Sequence, residues 1–261
     1  MGDFHQSGEI TTLHRFGSRD IAKLEAEIKK LSRLRPIALV LPTIFTELKG
    51  AALPAILNEL KGVKYLKQII VTLGRFNKEQ FNYAKEFFSV LPQEVTLIWN
   101  DGPRVKKLYK LLDEKNVPAG SDGKGRSAWM AYGYILASEK SKVIVLHDCD
   151  VLTYSREFLA RLCYPVVNQD LDFEFCKGYY SRVTDRMHGR VTRLLVTPLL
   201  RALSKLLGDL DFLKYMDSFR YPLAGEFSMV ADLARVNRIP GDWGLEVGVL
   251  AEIYRNCSKK R

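Results

Sequence analysis

Two hydrophobic periods alternate along this chain. Residues 37–41 form an unbroken apolar run ended by Pro42. Residues 47–60 then repeat Leu48, Ala52, Ile56 and Leu60 at helical spacing, with Pro54 inside the pattern. Residues 68–73 read as a second strand, and 76–90 as a helix with Phe81, Ala84 and Phe88 on one face. A third strand over 94–99 is closed by the turn chemistry of Asn100-Asp101-Gly102-Pro103. Helices over 105–112 and 127–138 lead to a fourth strand over 142–146. This alternation predicts an α/β protein, a mainly parallel Rossmann-like sheet with helices on both faces.

After Asp150 the rhythm changes. Residues 152–164 read as a helix, 172–179 as a strand rich in Phe and Tyr, and 192–207 as a long amphipathic helix with a kink expected at Pro198. No repeat, low-complexity tract or linker interrupts the chain, so residues 1–261 are expected to form a single domain.

Composition narrows the classes. No apolar run approaches the roughly 18 residues of a membrane span, so no membrane insertion is expected. Residues 1–20 are polar and lack the apolar core of a signal peptide. Cys149, Cys163, Cys176 and Cys257 are widely spaced, with no C-x-x-C pair, which points to reduced thiols and a cytoplasmic location. The net charge of +10 is spread along the sequence and is densest in the tail Lys259-Lys260-Arg261. Helix-turn-helix, zinc-finger and RNA-recognition signatures are absent, so nucleic acid is not the expected partner; phosphorylated small molecules account for the same charge.

The most informative residues are Asp148-Cys149-Asp150, directly after the fourth strand. Ligands of open α/β sheets bind at the C-terminal strand edge. Closely spaced carboxylates there can hold a divalent cation, and the cation a diphosphate; the alternative is a plain strand-terminal turn. Asp101, at the end of the third strand, is either a turn residue or an acceptor for a base or ribose. The segment Gly120-Ser121-Asp122-Gly123-Lys124-Gly125-Arg126 precedes a helix, where a phosphate would be attracted by amides and by the basic side chains. His188-Gly189-Arg190-Val191-Thr192-Arg193 offers guanidinium forks for carboxylate or phosphate, or else an ordinary helix start. Glu226 ends a Pro/Gly loop and either caps a following helix or faces a ligand; Glu246 complements the N-terminus of the last helix. His5, His14, His147 and His188 have no metal-ligand spacing, and no G-x-S-x-G, H-E-x-x-H or G-x-G-x-x-G motif occurs.

In order, these pieces resemble a GT-A glycosyltransferase and, more narrowly, the retaining glucosyl-3-phosphoglycerate synthase family. The resemblance rests on Leu41-Pro42-Thr43, Gly123-Lys124-Gly125, Asp148-Cys149-Asp150, Gly189-Arg190-Val191-Thr192, Pro222-Leu223-Ala224-Gly225-Glu226 and Gly244-Leu245-Glu246-Val247-Gly248. It implies transfer of a hexose, with UDP-glucose the favoured donor, to 3-phosphoglycerate or a similar phosphorylated acid. Residues 1–150 would form the nucleotide-sugar half and 151–261 the acceptor half. Leu41, Pro42, Thr43, Glu47, Asp101, Lys124, Asp148 and Cys149 would serve the donor. Asp148 and Asp150 would hold Mg²⁺ or Mn²⁺. Gly189, Arg190 and Thr192 would hold the acceptor, and Glu226 and Lys124 would be the catalytic pair. A homodimer stays open as the assembly.

Two departures stand out. The family's first loop runs Pro-x-x-Asn-Glu-Glu, whereas Pro42 is followed here by Thr43-Ile44-Phe45-Thr46-Glu47, with Thr46 replacing the first Glu. The family's metal-ligating His downstream of Gly-Leu-Glu-Val-Gly has no counterpart, since no His follows His188. Either the chain is shorter than its relatives, or another residue or water completes the coordination. Three alternatives accompany the main reading: a GDP-mannose-dependent synthase, a sugar-phosphate nucleotidyltransferase, and a nucleotide-sugar-binding homologue without full activity.

Overall fold

The computed structural model describes residues 9–14, 20–180 and 189–258. One six-stranded sheet organises them: β1 (Ile37–Ile44), β2 (Leu66–Gly74), β3 (Val95–Trp99), β4 (Val143–Leu146), β5 (Phe175–Lys177) and β6 (Phe227–Val230). Their order across the sheet is β3-β2-β1-β4-β6-β5. β1 to β4 run parallel, whereas β6 lies antiparallel to both β4 and β5. The expected mainly parallel α/β sheet is therefore present.

The helices are α1 (Ile21–Leu31), α2 (Phe45–Leu48), α3 (Ala52–Lys61), α4 (Lys78–Phe88), α5 (Pro103–Glu114), α6 (Lys124–Ser138), α7 (Arg156–Val167), α8 (Thr197–Leu207), α9 (Asp211–Ser218), α10 (Leu233–Val236) and α11 (Leu245–Asn256). α1, α3, α4 and α7 cover one face of the sheet, sealing a core of residues such as Ile28, Leu53, Ile56, Phe88 and Leu159. α6, α10 and α11 cover the other, with Ala131, Ile135, Leu233 and Val249 against Val40, Ile144 and Phe227. β1 and β4 are covered on both faces, which is why their sequences are continuous apolar runs rather than alternating ones. Among the described residues no helix is long and apolar enough to cross a membrane.

Pro42 shapes the centre of the sheet. β4 pairs with β1 only from Ile37↔Val143 to Val40↔Leu146, and the Val40 carbonyl accepts from the His147 N–H at 3.2 Å. In a parallel strand, residues two apart direct their amide groups to the same side. Pro42 thus faces β4 just where β4 has ended, and its missing N–H leaves no unmatched partner. The two strands part there, and the order of connections reverses between them. This is the topological switch point at which α/β sheets open a crevice.

Several boundaries differ from the pattern reading. The helix over 47–60 is two, α2 and α3, broken at Lys49–Ala51; Pro54 then falls in the first turn of α3, where it removes no helical hydrogen bond. Residues 190–207 form one unbroken helical run, in line with the expected long helix: a π-helical turn (Thr192–Val196) passes straight into α8, and Pro198, which has no N–H to give, sits just past that widened turn, so the irregularity expected at the proline is present as a π turn. The expected strand over 172–179 contracts to β5, and the helix over 152–164 slides to α7. Helix α1, helix α9 and strand β6 are additional to the pattern reading.

Candidate functional site

Chemistry gathers at the C-terminal edge of β1 and β4. Asp148 leaves β4 there, half-buried, and Asp150 follows it exposed. The first residue of α6, Lys124, extends its ammonium between two carboxylates, 2.5 Å from Asp148 Oδ1 and 2.7 Å from Glu246 Oε1. Burial alone would pull this lysine down, but Asp148 and Glu246 hold it well above the ordinary value, so it stays cationic. Glu246 sits in the first turn of α11, as read from the sequence, but its carboxylate is turned to Lys124 as well.

The segment before β6 closes the third side. Gly225 lies against Asp148, where a Cβ would come 2.2 Å from Oδ2. Glu226 is 1 % exposed and accepts from the Tyr180 hydroxyl at 3.1 Å. Burial, reinforced by the Asp148 charge, pushes the Glu226 carboxyl up to about 7. Glu226 caps no helix, because it leads directly into the buried strand β6. Behind it, Lys177 at the end of β5 donates to the Ala224 carbonyl at 2.6 Å; burial pulls this ammonium down to about 8 against the opposing pull of Glu246 and Glu226. A cavity of about 880 Å³ adjoins this side, lined by Lys177, Tyr180, Tyr221, Phe158 and Arg161 among others.

On the β1 side, Leu41, Pro42, Thr43 and Cys149 are all buried. Thr43 Oγ1 and Cys149 Sγ are 3.2 Å apart, and burial raises the Cys149 thiol well above its ordinary value. These side chains form the floor beneath the crevice rather than its open wall, because β1 is covered on both faces. Glu47 accepts from the Ile44 N–H at 2.9 Å; burial raises its carboxyl to about 7, with Asp150 and Asp148 adding to the rise.

One expectation needs correction. The N-terminus of α6 is not open to a phosphate: the Arg126 N–H donates to the Gly241 carbonyl at 2.6 Å and the Gly125 N–H to the Asp242 carbonyl at 3.4 Å. Gly125 is needed for this packing, since a Cβ there would lie 1.7 Å from the Pro240 carbonyl oxygen. Arg126 also turns away, to Asp122 at 2.6 Å and over the Tyr109 ring, leaving Lys124 as the basic group at the crevice. Asp101 accepts through one carboxylate oxygen from the Phe76 N–H in the loop after β2, at 3.1 Å, beside a buried Asn100 that donates to Ser127 Oγ.

Gly189 (φ +84°) and Arg190 are exposed ahead of the π-helical turn, and Thr192 is half-buried within it. Among the described residues, none of the three takes part in the Lys124–Asp148 and Lys124–Glu246 ion pairs. His188, His5 and the tail Lys259-Lys260-Arg261 lie outside the described residues. His147 is structural, held neutral by burial that pulls it to about 3 and packed edge-on against Tyr154 and Phe158.

The donor set suits a hard divalent cation. Asp148 and Asp150 offer carboxylate oxygens at a strand end, and Glu47 faces the same negative charge. Among the described residues no group of three or more His, Cys, Asp or Glu converges as a metal cage. A cation held by Asp148 and Asp150 alone would take the rest of its shell from water and phosphate oxygens, as Mg²⁺ can.

No protein-family model matches the chain. Curated relatives do. The glucosyl-3-phosphoglycerate synthase of Persephonella marina is 49% identical over all 261 residues, which correspond to 65% of its length. That of Methanococcoides burtonii is 41% identical over 99% of this chain and 64% of its own. The chain thus spans just under two thirds of the relatives it matches. A solved structure of glucosyl-3-phosphoglycerate synthase from Mycobacterium tuberculosis, in complex with Mn²⁺, UDP-glucose and phosphoglyceric acid, superposes with a TM-score of 0.66 at 22% identity, covering 94% of this chain and 72% of that one. The same enzyme with Mg²⁺ and UDP gives 0.67 at 21%, covering 96% and 74%. The fold is the GT-A glycosyltransferase fold.

Proposed function

We propose, from the similarity of its 261 residues to just under two thirds of glucosyl-3-phosphoglycerate synthases, that this chain transfers glucose from UDP-glucose to 3-phosphoglycerate with retention at the sugar carbon. The observation that carries this reading is the contact of Lys124 with Asp148 at the β1/β4 switch point, in a chain 49% identical to such a synthase. Residues 1–150 would supply the donor side and 151–261 the acceptor side.

Asp148 and Asp150 would hold Mg²⁺ or Mn²⁺. When bound, the cation supplies charge neutralisation to the departing diphosphate. Lys124 adds a fixed positive charge on the same side, preorganised by its two carboxylates. The buried floor of Leu41, Pro42, Thr43 and Cys149 excludes water beneath the nucleotide. Arg190 and Thr192 orient the acceptor's phosphate and carboxylate, lowering the entropic cost of encounter. Glu226, out of water and held by Tyr180, faces the transferred sugar and the acceptor hydroxyl. The acceptor hydroxyl would attack from the leaving-group face, bonding to the sugar carbon as the bond to the diphosphate breaks and giving its proton to the departing diphosphate oxygen, so no protein nucleophile is required.

A cytoplasmic homodimer is the proposed setting. The four free cysteines support the compartment. The apolar stripe Leu194, Leu195, Leu199 and Leu206, left exposed along the π-helical turn and α8, supports the assembly.

The test is nucleoside diphosphate release by the purified chain with UDP-glucose or GDP-mannose, Mg²⁺ or Mn²⁺, with and without 3-phosphoglycerate. UDP release that needs the acceptor and is lost with EDTA is the expected result. GDP release from GDP-mannose instead would reassign the donor. Pyrophosphate release would mean nucleotidyl transfer, and binding of UDP-glucose without product would leave a binding protein.

A further inference from the structure

Lys177 is the one cation in a stretch rich in aromatic residues, Phe173-Glu174-Phe175-Cys176-Lys177-Gly178-Tyr179-Tyr180. Its partner is not a carboxylate. The ammonium donates to the Ala224 carbonyl at 2.6 Å and lies 5.7 Å from the centre of the Phe227 ring. A half-buried lysine held by a backbone carbonyl needs compensation that an exposed one does not. Here it fixes a particular stretch of chain. Ala224 precedes Gly225, which abuts Asp148, and Glu226, whose carboxylate meets Tyr180. The same stretch is tied a second time by the Gly178 N–H, which donates to the Glu226 carbonyl at 2.8 Å. β5 therefore grips the 224–226 turn at both ends, once through Lys177 and once through its neighbour.

We propose that Lys177 is a positioning residue: its hold on the Ala224 carbonyl sets the path of the 224–226 turn, so that the Glu226 carboxylate is aimed at the acceptor. The inference rests on the glycosyltransferase reading above and assigns to it a residue that touches neither donor nor metal ligand. Lys177 also lines the adjoining cavity, which leaves room for a larger cation at the same position.

The experiment compares the wild-type chain with Lys177→Met, which keeps the stem and removes the donor, and with Lys177→Arg, which keeps a donor and charge. UDP-binding stoichiometry with Mn²⁺ is measured alongside KM for UDP-glucose and for 3-phosphoglycerate. Partial unfolding lowers the number of active sites but moves neither KM, so the KM values isolate positioning. For Lys177→Met the expected result is a rise of about tenfold in acceptor KM, the size of one misplaced polar contact. Donor KM and the one-to-one binding of UDP should stay as in wild type. Lys177→Arg should restore most of the acceptor KM. Active wild type with an unchanged acceptor KM in Lys177→Met overturns the positioning role alone. Loss of UDP binding in both variants makes Lys177 purely structural and overturns it as well. No turnover by wild type overturns the glycosyltransferase reading, and the positioning role falls with it.

Discussion

Gly225 and Asp148 meet so closely that no side chain fits between them: a Cβ on Gly225 would sit 2.2 Å from Asp148 Oδ2 and 2.7 Å from Oδ1. Asp148 cannot simply step aside, because Lys124 holds its other side. Gly225→Ala should therefore displace the carboxylate and cut turnover about a hundredfold. The overpacking itself should destabilise the fold by about 1–3 kcal/mol. UDP release and thermal melting of the purified variant check both numbers. Full activity would show that Asp148 has no fixed place.

Removing the cation at the crevice should be more damaging than loosening it. Lys124→Met is expected to lower kcat by about 10²–10³, the range for one preorganised electrostatic group. Glu246→Gln leaves Lys124 on Asp148 alone, and a loss of about tenfold is expected. Steady-state kinetics on the two variants should rank them in that order; equal losses would mean that Glu246 has a role of its own.

Asp150→Asn tests the metal assignment. It keeps shape and removes charge from the exposed carboxylate. Turnover should become undetectable at Mn²⁺ concentrations that saturate the wild type. Mn²⁺ titration in the presence of UDP, followed calorimetrically, should show weakened binding. Near-normal turnover would remove Asp150 from the metal site.

Glu226 should leave a signature in stability against pH. Its carboxyl rises from an ordinary 4.5 to about 7 through burial and the Asp148 charge. Between those values the folded chain binds a proton that the unfolded chain has lost, so this group lowers stability as pH rises through the interval. Glu226→Gln is neutral at every pH and escapes that loss. The variant should gain on wild type from near pH 4.5 upward, by on the order of 3 kcal/mol at most above pH 7. Denaturant unfolding at a series of pH values measures the difference. Glu47 contributes a similar slope that both proteins share. A gap that stays flat with pH would place Glu226 in water.

Much of the β1/β4 edge was legible because it is built from local signals. The runs at β1 and β4 name buried parallel strands, and the carboxylates after β4 mark the edge where ligands bind. The opposite side was harder. β6 is a four-residue antiparallel strand, Phe-Ser-Met-Val, whose partners are about 50 and 80 residues upstream, and nothing in so short a piece announces them. The segment 120–126 has the composition of a phosphate loop, yet its amides belong to the 240–242 carbonyls, a long-range pairing that no window of sequence contains. Glu246 reads as a helix-dipole residue and is also the anchor of Lys124, for the same reason. Lys177 did carry a signal: a lone cation in an aromatic strand has to be satisfied by something.

The interruption at Pro42 has a further consequence for how the crevice survives without a ligand. A polar groove between two strands is prone to zip shut, since each amide that closes finds a partner across it. Past Val40 the ladder meets a residue with nothing to donate, and closure would gain nothing there. The end of the ladder is thus set by the covalent structure of one imino acid rather than by a bound nucleotide. A substrate seated past Val40 would break no backbone pairing between β1 and β4 to enter.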